Sequence, residues 1–196
     1  EKHHLQFKSV QETLGPIEEE YSRFFTTLDL SGPAWQLTIP PEQQEITAFS
    51  LPGWGQFLWK VAPLHLGGAA ATFHRLLTKL LQGVPGTIVH VDRIIIHSAE
   101  IPEHLERLES VLQLLKTRGL AINLNKSSFL QAQAHIMGFI VSEGHVRMHP
   151  NQEEALRRCP APTSTPMLKS FMGLANFFRG HIRNFAELAA PLNKLI

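Results

Sequence analysis

A single cysteine, Cys159, stands among the 196 residues, so no internal disulfide can brace this fold. Placed just before a run of prolines, it reads as an inert thiol. The scarcity suits a reducing, intracellular compartment and does not separate nucleus from cytoplasm. Apolar runs are short as well: none approaches the roughly 20 residues needed to cross a bilayer. The opening Glu1-Lys2-His3-His4-Leu5 has no apolar stretch of the kind a secretion signal carries. Histidines number 11 but are scattered, and none joins a cysteine in zinc-ligand spacing. Net charge is also small, at +1, which argues against a strongly nucleic-acid-seeking protein. Its distribution is less even. Residues 1–115 carry 8 Lys/Arg against 13 Asp/Glu, and residues 116–196 carry 10 against 4. A basic C-terminal part can hold nucleic acid, and an acidic front can meet a protein partner; two ordinary solvated faces fit the same numbers.

What is present is 43% hydrophobic content, enough to bury a core. The stretch Gly86 to His97 is β-branched and apolar with Asp92-Arg93 at its centre, which predicts two strands joined by a tight turn. A second isolated carboxylate, Asp29, ends a similar run, Phe24 to Leu30. Two carboxylates on buried strand ends are the raw material of a two-cation site. Asp29 capping a turn while Asp92 pairs with Arg93 explains them equally well.

In chain order, residues 9–23 predict a helix interrupted at Gly15-Pro16. Strand 24–30, a turn at Ser31-Gly32-Pro33 and a half-buried strand Trp35 to Ile39 follow. Thr47–Leu51 and Phe57–Val61 predict a strand pair, and Ala69–Leu81 a helix. A second helix begins at Pro102, with Leu105, Leu108, Leu112 and Leu115 toward the core, Glu103, Glu106, Arg107 and Glu109 toward water, and Gly119 as its cap. Short strands around Leu120–Ile122 and His135–Val141 come next, with a turn at Glu143-Gly144. The tail from Met167 has a helical pattern broken at Gly180 and Pro191. This order describes an α+β fold, an antiparallel sheet with helices on one face.

In this order the motifs resemble the reverse transcriptases of retroviruses and gypsy-like long-terminal-repeat retrotransposons. Phe25-Thr26-Thr27-Leu28-Asp29-Leu30 resembles the first metal-binding strand. Thr47-Ala48-Phe49 and Trp59-Lys60-Val61-Ala62-Pro63 resemble the segments before the template-contacting helix, and Ala71 to Leu76, with Arg75, resembles that helix. His90-Val91-Asp92-Arg93 stands where the family has an aromatic residue, any residue and two aspartates. Gly119-Leu120 through Asn123 and Lys126 resembles the segment whose lysine approaches the incoming nucleotide. Met137-Gly138-Phe139 through Glu143-Gly144 resembles the primer-gripping hairpin, and Phe171 to Arg179 with Asn184 to Leu192 the segment after the palm.

The resemblance implies an N-terminal helical segment on the truncated fingers side (1–23), a palm with residual fingers (24–150) and the start of a thumb- or connection-like helical segment (151–196). It also implies template-directed DNA synthesis with two Mg²⁺ ions on Asp29 and Asp92, and fingers strands upstream of these residues. The family pattern is broken, however, at several positions. Arg93 replaces the second hairpin aspartate, bringing a cation to a cation's place; Pro33 and Ala34 stand where a small residue and then a large aromatic belong. Leu64-His65-Leu66-Gly67-Gly68 replaces a glycine-bearing turn and its polar follower, which sets His65 to obstruct the nucleotide or template pocket, and His90 takes the hairpin's aromatic position. These departures strike the metal, sugar and phosphate subsites while the apolar framework stays legible. They lead to the expectation of a retroelement-derived domain without polymerase activity, retained as a nucleic-acid- or protein-binding module, binding no cofactor tightly, with Asp29 and Asp92 vestigial. Met137, Gly138, Phe139 and Arg75 are then the residues for contacting RNA, DNA or their hybrid; Lys126 is more simply a solvated lysine than a working acid. Trp35, Trp54 and Trp59 read as packing residues rather than base-stacking platforms. An active polymerase using Mg²⁺, or a silent subunit of a larger polymerase assembly with a protein partner, is the alternative.

Overall fold

The structure, a computed structural model, describes residues 10–63 and 66–196. The order is α1 (Val10–Glu19), β1 (Phe24–Asp29), α2 (Pro41–Gln44), β2 (Phe49–Leu51), β3 (Gly55–Phe57), α3 (Ala69–Leu80), β4 (Thr87–His90), β5 (Arg93–Ser98) and α4 (Ile101–Thr117). It continues with β6 (Ser128–Gln131), β7 (Gln133–Ile136), β8 (Phe139–Ser142), β9 (His145–Met148), α5 (Pro150–Arg157), α6 (Thr165–Phe177) and α7 (Phe185–Asn193). These elements form two compact units. One comprises the described residues from Phe24 to Gln131, the other the described residues up to Arg23 together with Ala132–Ile196. The division falls at 131/132, within the span 24–150 assigned to the palm, and α1 belongs with the C-terminal residues.

The first unit is built on an antiparallel sheet of order β4-β5-β1-β6. The predicted hairpin forms: Thr87 to His90 pair with Ile96 to Arg93, leaving Val91-Asp92 as the turn. Because side chains alternate along a strand, Leu28 on β1 and Ile94 and Ile96 on β5 share one face. There they pack with Phe73, Leu77 and Leu81 of the α3 segment and Val111 and Leu115 of α4. Phe24 to Asp29 lie opposite Ser98 to Arg93 in unbroken register. A one-residue slip would carry this whole apolar set to the wrong face, so burial locks Asp29 opposite Arg93.

Several expectations are corrected. The segment Trp35–Ile39 is not a strand: Pro33 opens a 3₁₀ turn through Gln36, and Thr38 keeps one bridge, to Val61. The Gln36 side chain takes over the strand's bonding role, accepting from Ala121 N–H at 2.8 Å and donating to Ala121 O at 3.2 Å. α4 is rotated relative to its leucine stripe. It buries His104, Arg107, Val111 and Leu115, while Leu105 is 54% exposed and Leu108 and Leu112 are half-buried. Polar anchors set that rotation. Thr26 Oγ1 lies 2.7 Å from His104 Nε2, and Ser98 Oγ 3.0 Å from Nδ1. The Arg107 guanidinium bonds His97 O and Glu103. Gly119 does end α4: its N–H bonds Lys116 O while Leu120 N–H bonds Leu115 O, the two bonds of a Schellman motif.

In the second unit β7, β8 and β9 form an antiparallel meander, and α1 packs on β9. Gly15-Pro16 does not break α1. Leu14 and Ile17 are 1% and 0% exposed, and their burial outweighs the hydrogen bond that proline removes. Pro191 likewise lies inside α7, and the break in the tail falls at Phe178–Asn184, around Gly180.

Candidate active site

Asp29 closes β1 and Arg93 opens β5, and the two residues are directly opposed across the strand pair. Their side chains stand on the sheet face away from the helical core. Arg93 donates from Nε at 3.1 Å and from Nη2 at 2.8 Å, both to Asp29 Oδ2. Asp29 is 14% exposed at its side chain and Arg93 42%, so the carboxylate is mostly desolvated while its partner reaches the surface. This resolves the alternatives open in the sequence, since Arg93 pairs with Asp29 rather than with its neighbour Asp92. Asp92 joins the network through its backbone, its carbonyl accepting from Leu30 N–H at 3.2 Å.

Further bonds hold Asp29 in place. Its N–H donates to Ser127 Oγ at 3.1 Å, and its carbonyl accepts from Asn123 N–H at 2.8 Å. Ser127 in turn donates to Asn123 O at 2.7 Å. Asn123 also caps the 3₁₀ turn Leu124–Lys126, accepting from Asn125 N–H. Lys126 is therefore carried on the loop tied to Asp29, with its side chain exposed. Sequence reading missed Asn123 and Ser127 as supports, although the spacing Asn123-x-Asn125 is a turn signal.

The turn holds Val91 at φ 56°, a left-handed conformation that a β-branched residue rarely adopts. His90 is half-buried beside it. Burial first, and the Arg93 guanidinium second, push its pKa below the usual histidine value against a smaller upward pull from Asp92. His74 on α3 is lowered by burial and then by His90. The hairpin thus disfavours the charged form of its histidine.

A divalent cation at this site needs carboxylate oxygens free to coordinate it. The residues present do not fit one: Asp29 Oδ2 already accepts two guanidinium bonds, and among the described residues no three His, Cys, Asp or Glu side chains are grouped to hold a metal. Pro33 and Ala34 lie in the 3₁₀ turn after β1, one turn from Asp29. Trp35 beside them folds back over Gly32 and onto Trp59, with ring centroids 5.4 Å apart. His65 lies outside the described residues. Arg75 is exposed on α3, its Nη2 3.4 Å from Thr72 Oγ1. In the second unit Met137 (φ 52°) and Gly138 (φ 83°) form the β7–β8 turn and are half-buried. Phe139 is fully buried, with its ring against Phe177, Phe178 and His181. It braces the hairpin from inside and offers no surface to a nucleic acid, which corrects its assignment as a contact residue.

Residues 4–141 match the sequence profile of the reverse transcriptase (RNA-dependent DNA polymerase) family. This chain belongs to the reverse transcriptase family. Among curated relatives, the Pro-Pol polyprotein of feline foamy virus is 37% identical over 174 residues, 89% of this chain and 15% of the polyprotein. The Pol polyprotein of the gypsy transposon of Drosophila melanogaster is 31% identical over 177 residues, 89% of this chain and 17% of that protein. Among solved structures, a foamy viral protease-reverse transcriptase in complex with double-stranded DNA superposes with a TM-score of 0.80 at 30% identity. It matches 98% of this chain and 34% of its own. The foamy viral enzyme in complex with an RNA/DNA hybrid gives 0.71 at 29%, over 91% of this chain and 25% of its own. This reverse transcriptase domain, of retroelement origin, thus spans less than a fifth of those polyproteins.

Proposed function

We propose that this reverse transcriptase domain is non-catalytic and serves as a nucleic-acid-binding module. One observation carries the reading: the Arg93 guanidinium holds Asp29 Oδ2 through two bonds where the family places a metal cation. A cation supplied by the chain keeps the fold's charge balanced and removes the need for Mg²⁺. Two unit charges 4 Å apart interact by about 4 kcal/mol at an effective dielectric of 20, so an added divalent ion meets strong repulsion from Arg93. Ala34 gives no aromatic wall to a nucleotide sugar. Pro33 gives no N–H to its phosphates. Nucleic-acid binding is supported by the basic residues 116–196 and by the likeness to foamy viral enzymes solved with double-stranded DNA and with hybrid.

Primer extension and hybrid binding test the two halves separately. The unmodified chain is expected to extend no primer with Mg²⁺ or Mn²⁺, and Asp29-dependent extension would overturn the non-catalytic half. Fluorescence polarisation on an RNA–DNA hybrid is expected to show saturable binding that weakens as salt rises. Absence of saturation at low salt would remove the nucleic-acid half.

A further inference from the structure

We propose that α4 is a self-association surface, on which a second copy of this chain lays its own α4 antiparallel. The helix faces the core with His104, Arg107, Val111 and Leu115, which leaves Leu105 exposed and Leu108 and Leu112 only half-buried at the edge of that core. Ile101 is 41% exposed and Leu105 54%; Leu105, Leu108 and Leu112, with Glu109, Gln113 and Lys116, line an open groove along the helix. The apolar stripe belongs to a rigid element that is already fixed from behind, so covering it needs no refolding.

Charge selects the occupant. Glu103, Glu106 and Glu109 lie on the first half of α4, whereas Lys116 and Arg118 lie at its C-terminal end. A parallel pair of α4 helices would set Glu109 against Glu109 and Lys116 against Lys116. A two-fold axis across the groove, midway between Leu105 and Lys116, makes the pair antiparallel. At a rise of roughly 1.5 Å per residue, Lys116 of each copy then lies within about 6 Å along the axis of Glu106 and Glu109 of the other, while Leu105 meets the aliphatic stem of Lys116. The groove lining from Leu105 to Lys116 runs roughly 18 Å along the helix. That length gives a small patch, so a weak, concentration-dependent dimer is the expected state.

Sedimentation equilibrium of the full chain over a wide concentration range tests this. The mass is expected to rise from that of one chain toward that of two. Leu105→Arg should abolish the rise, and Lys116→Glu should weaken it about tenfold by turning attraction into repulsion at both ends. The decisive arm mixes two variants, Lys116→Glu in one chain and the double change Glu106→Lys, Glu109→Lys in the other. Each alone sets like charges together and should associate about tenfold more weakly than the parent, whereas the mixture restores both pairings and should form a heterodimer at the parent's concentrations. All these side chains are exposed, and far-ultraviolet circular dichroism checks that the folds match. A monomer at every concentration, or a mixture no more associated than its components, would overturn the proposal.

Discussion

At the residue scale the site depends on Arg93, and its effect on stability separates from its effect on catalysis. Arg93→Asp removes a half-exposed ion pair and sets a second carboxylate opposite Asp29. It should lower stability by about 1–3 kcal/mol, below the range for breaking a fully buried pair because Arg93 is 42% exposed. Millimolar Mg²⁺ should return part of that loss in the variant and change the parent little, as read by thermal melts with and without the ion. Val91 offers an opposite case. Its left-handed φ carries strain of about 1–3 kcal/mol, against roughly 0.5–1 kcal/mol for the entropy of a glycine. Val91→Gly should therefore stabilise the domain by about 1 kcal/mol in urea denaturation, although it removes a branched apolar side chain from the central hairpin.

At the element scale, α4 shows what apolar periodicity reveals and where it misleads. The helix, its start near Pro102 and its Gly119 end were legible, because leucine spacing, proline and glycine act locally. Its orientation was not, because polar side chains chose it. Thr26 on β1, far off in sequence, and Ser98 and His97 O on β5, the strand just before the helix, receive His104 and Arg107. The hydrogen bonds define His104: Thr26 Oγ1 accepts from Leu130 N–H, and Ser98 Oγ donates to Glu100 O. A neutral imidazole with its proton on Nδ1 satisfies both hydroxyls. Burial first, then Arg107, lowers its pKa, with Glu103 pulling less strongly upward. The unfolded chain, with an ordinary pKa near 6.5, then takes up the proton before the folded one. Stability from this group is complete above pH 6.5 and falls as pH drops from there toward the lowered folded value. His74 and His90 shift the same way, so the check is a comparison: urea midpoints should fall less between pH 7.5 and 5 in His104→Asn than in the parent. Beneath the same helix, Gly86 has φ 59°, and an added Cβ would strike the Arg107 guanidinium and His97 O. Gly86→Ala should cost about 2–3 kcal/mol of stability, within the range for overpacking a filled site.

At the scale of the whole molecule, the family was legible from motif order, while the two units were not, since the second is discontinuous in sequence. Local patterns expose β7–β9 and α1 separately. Nothing local shows that Leu14 and Ile17 belong with strands more than a hundred residues later. The Asp29–Arg93 opposition was half legible: Arg93 stood out against the family, but its choice of Asp29 over Asp92 depends on strand register. Ile17→Ala should cost about 2–5 kcal/mol, and hydrogen exchange should show lost protection in β7–β9 with β1 and β5 little changed.

The discontinuity also sets a schedule during synthesis. α1 leaves the ribosome long before β9, its packing partner, exists. From Ile17 to Met148 about 130 residues must be translated, roughly 7–26 seconds at 5–20 residues per second. Through that interval Leu14 and Ile17 lack the surface that finally buries them, and a helix of 10 residues carrying a proline is too short to persist alone. The first unit can assemble meanwhile around the Asp29–Arg93 strand pair. Until β7–β9 have been made, Leu14 and Ile17 therefore stay uncovered on a segment that has not yet folded.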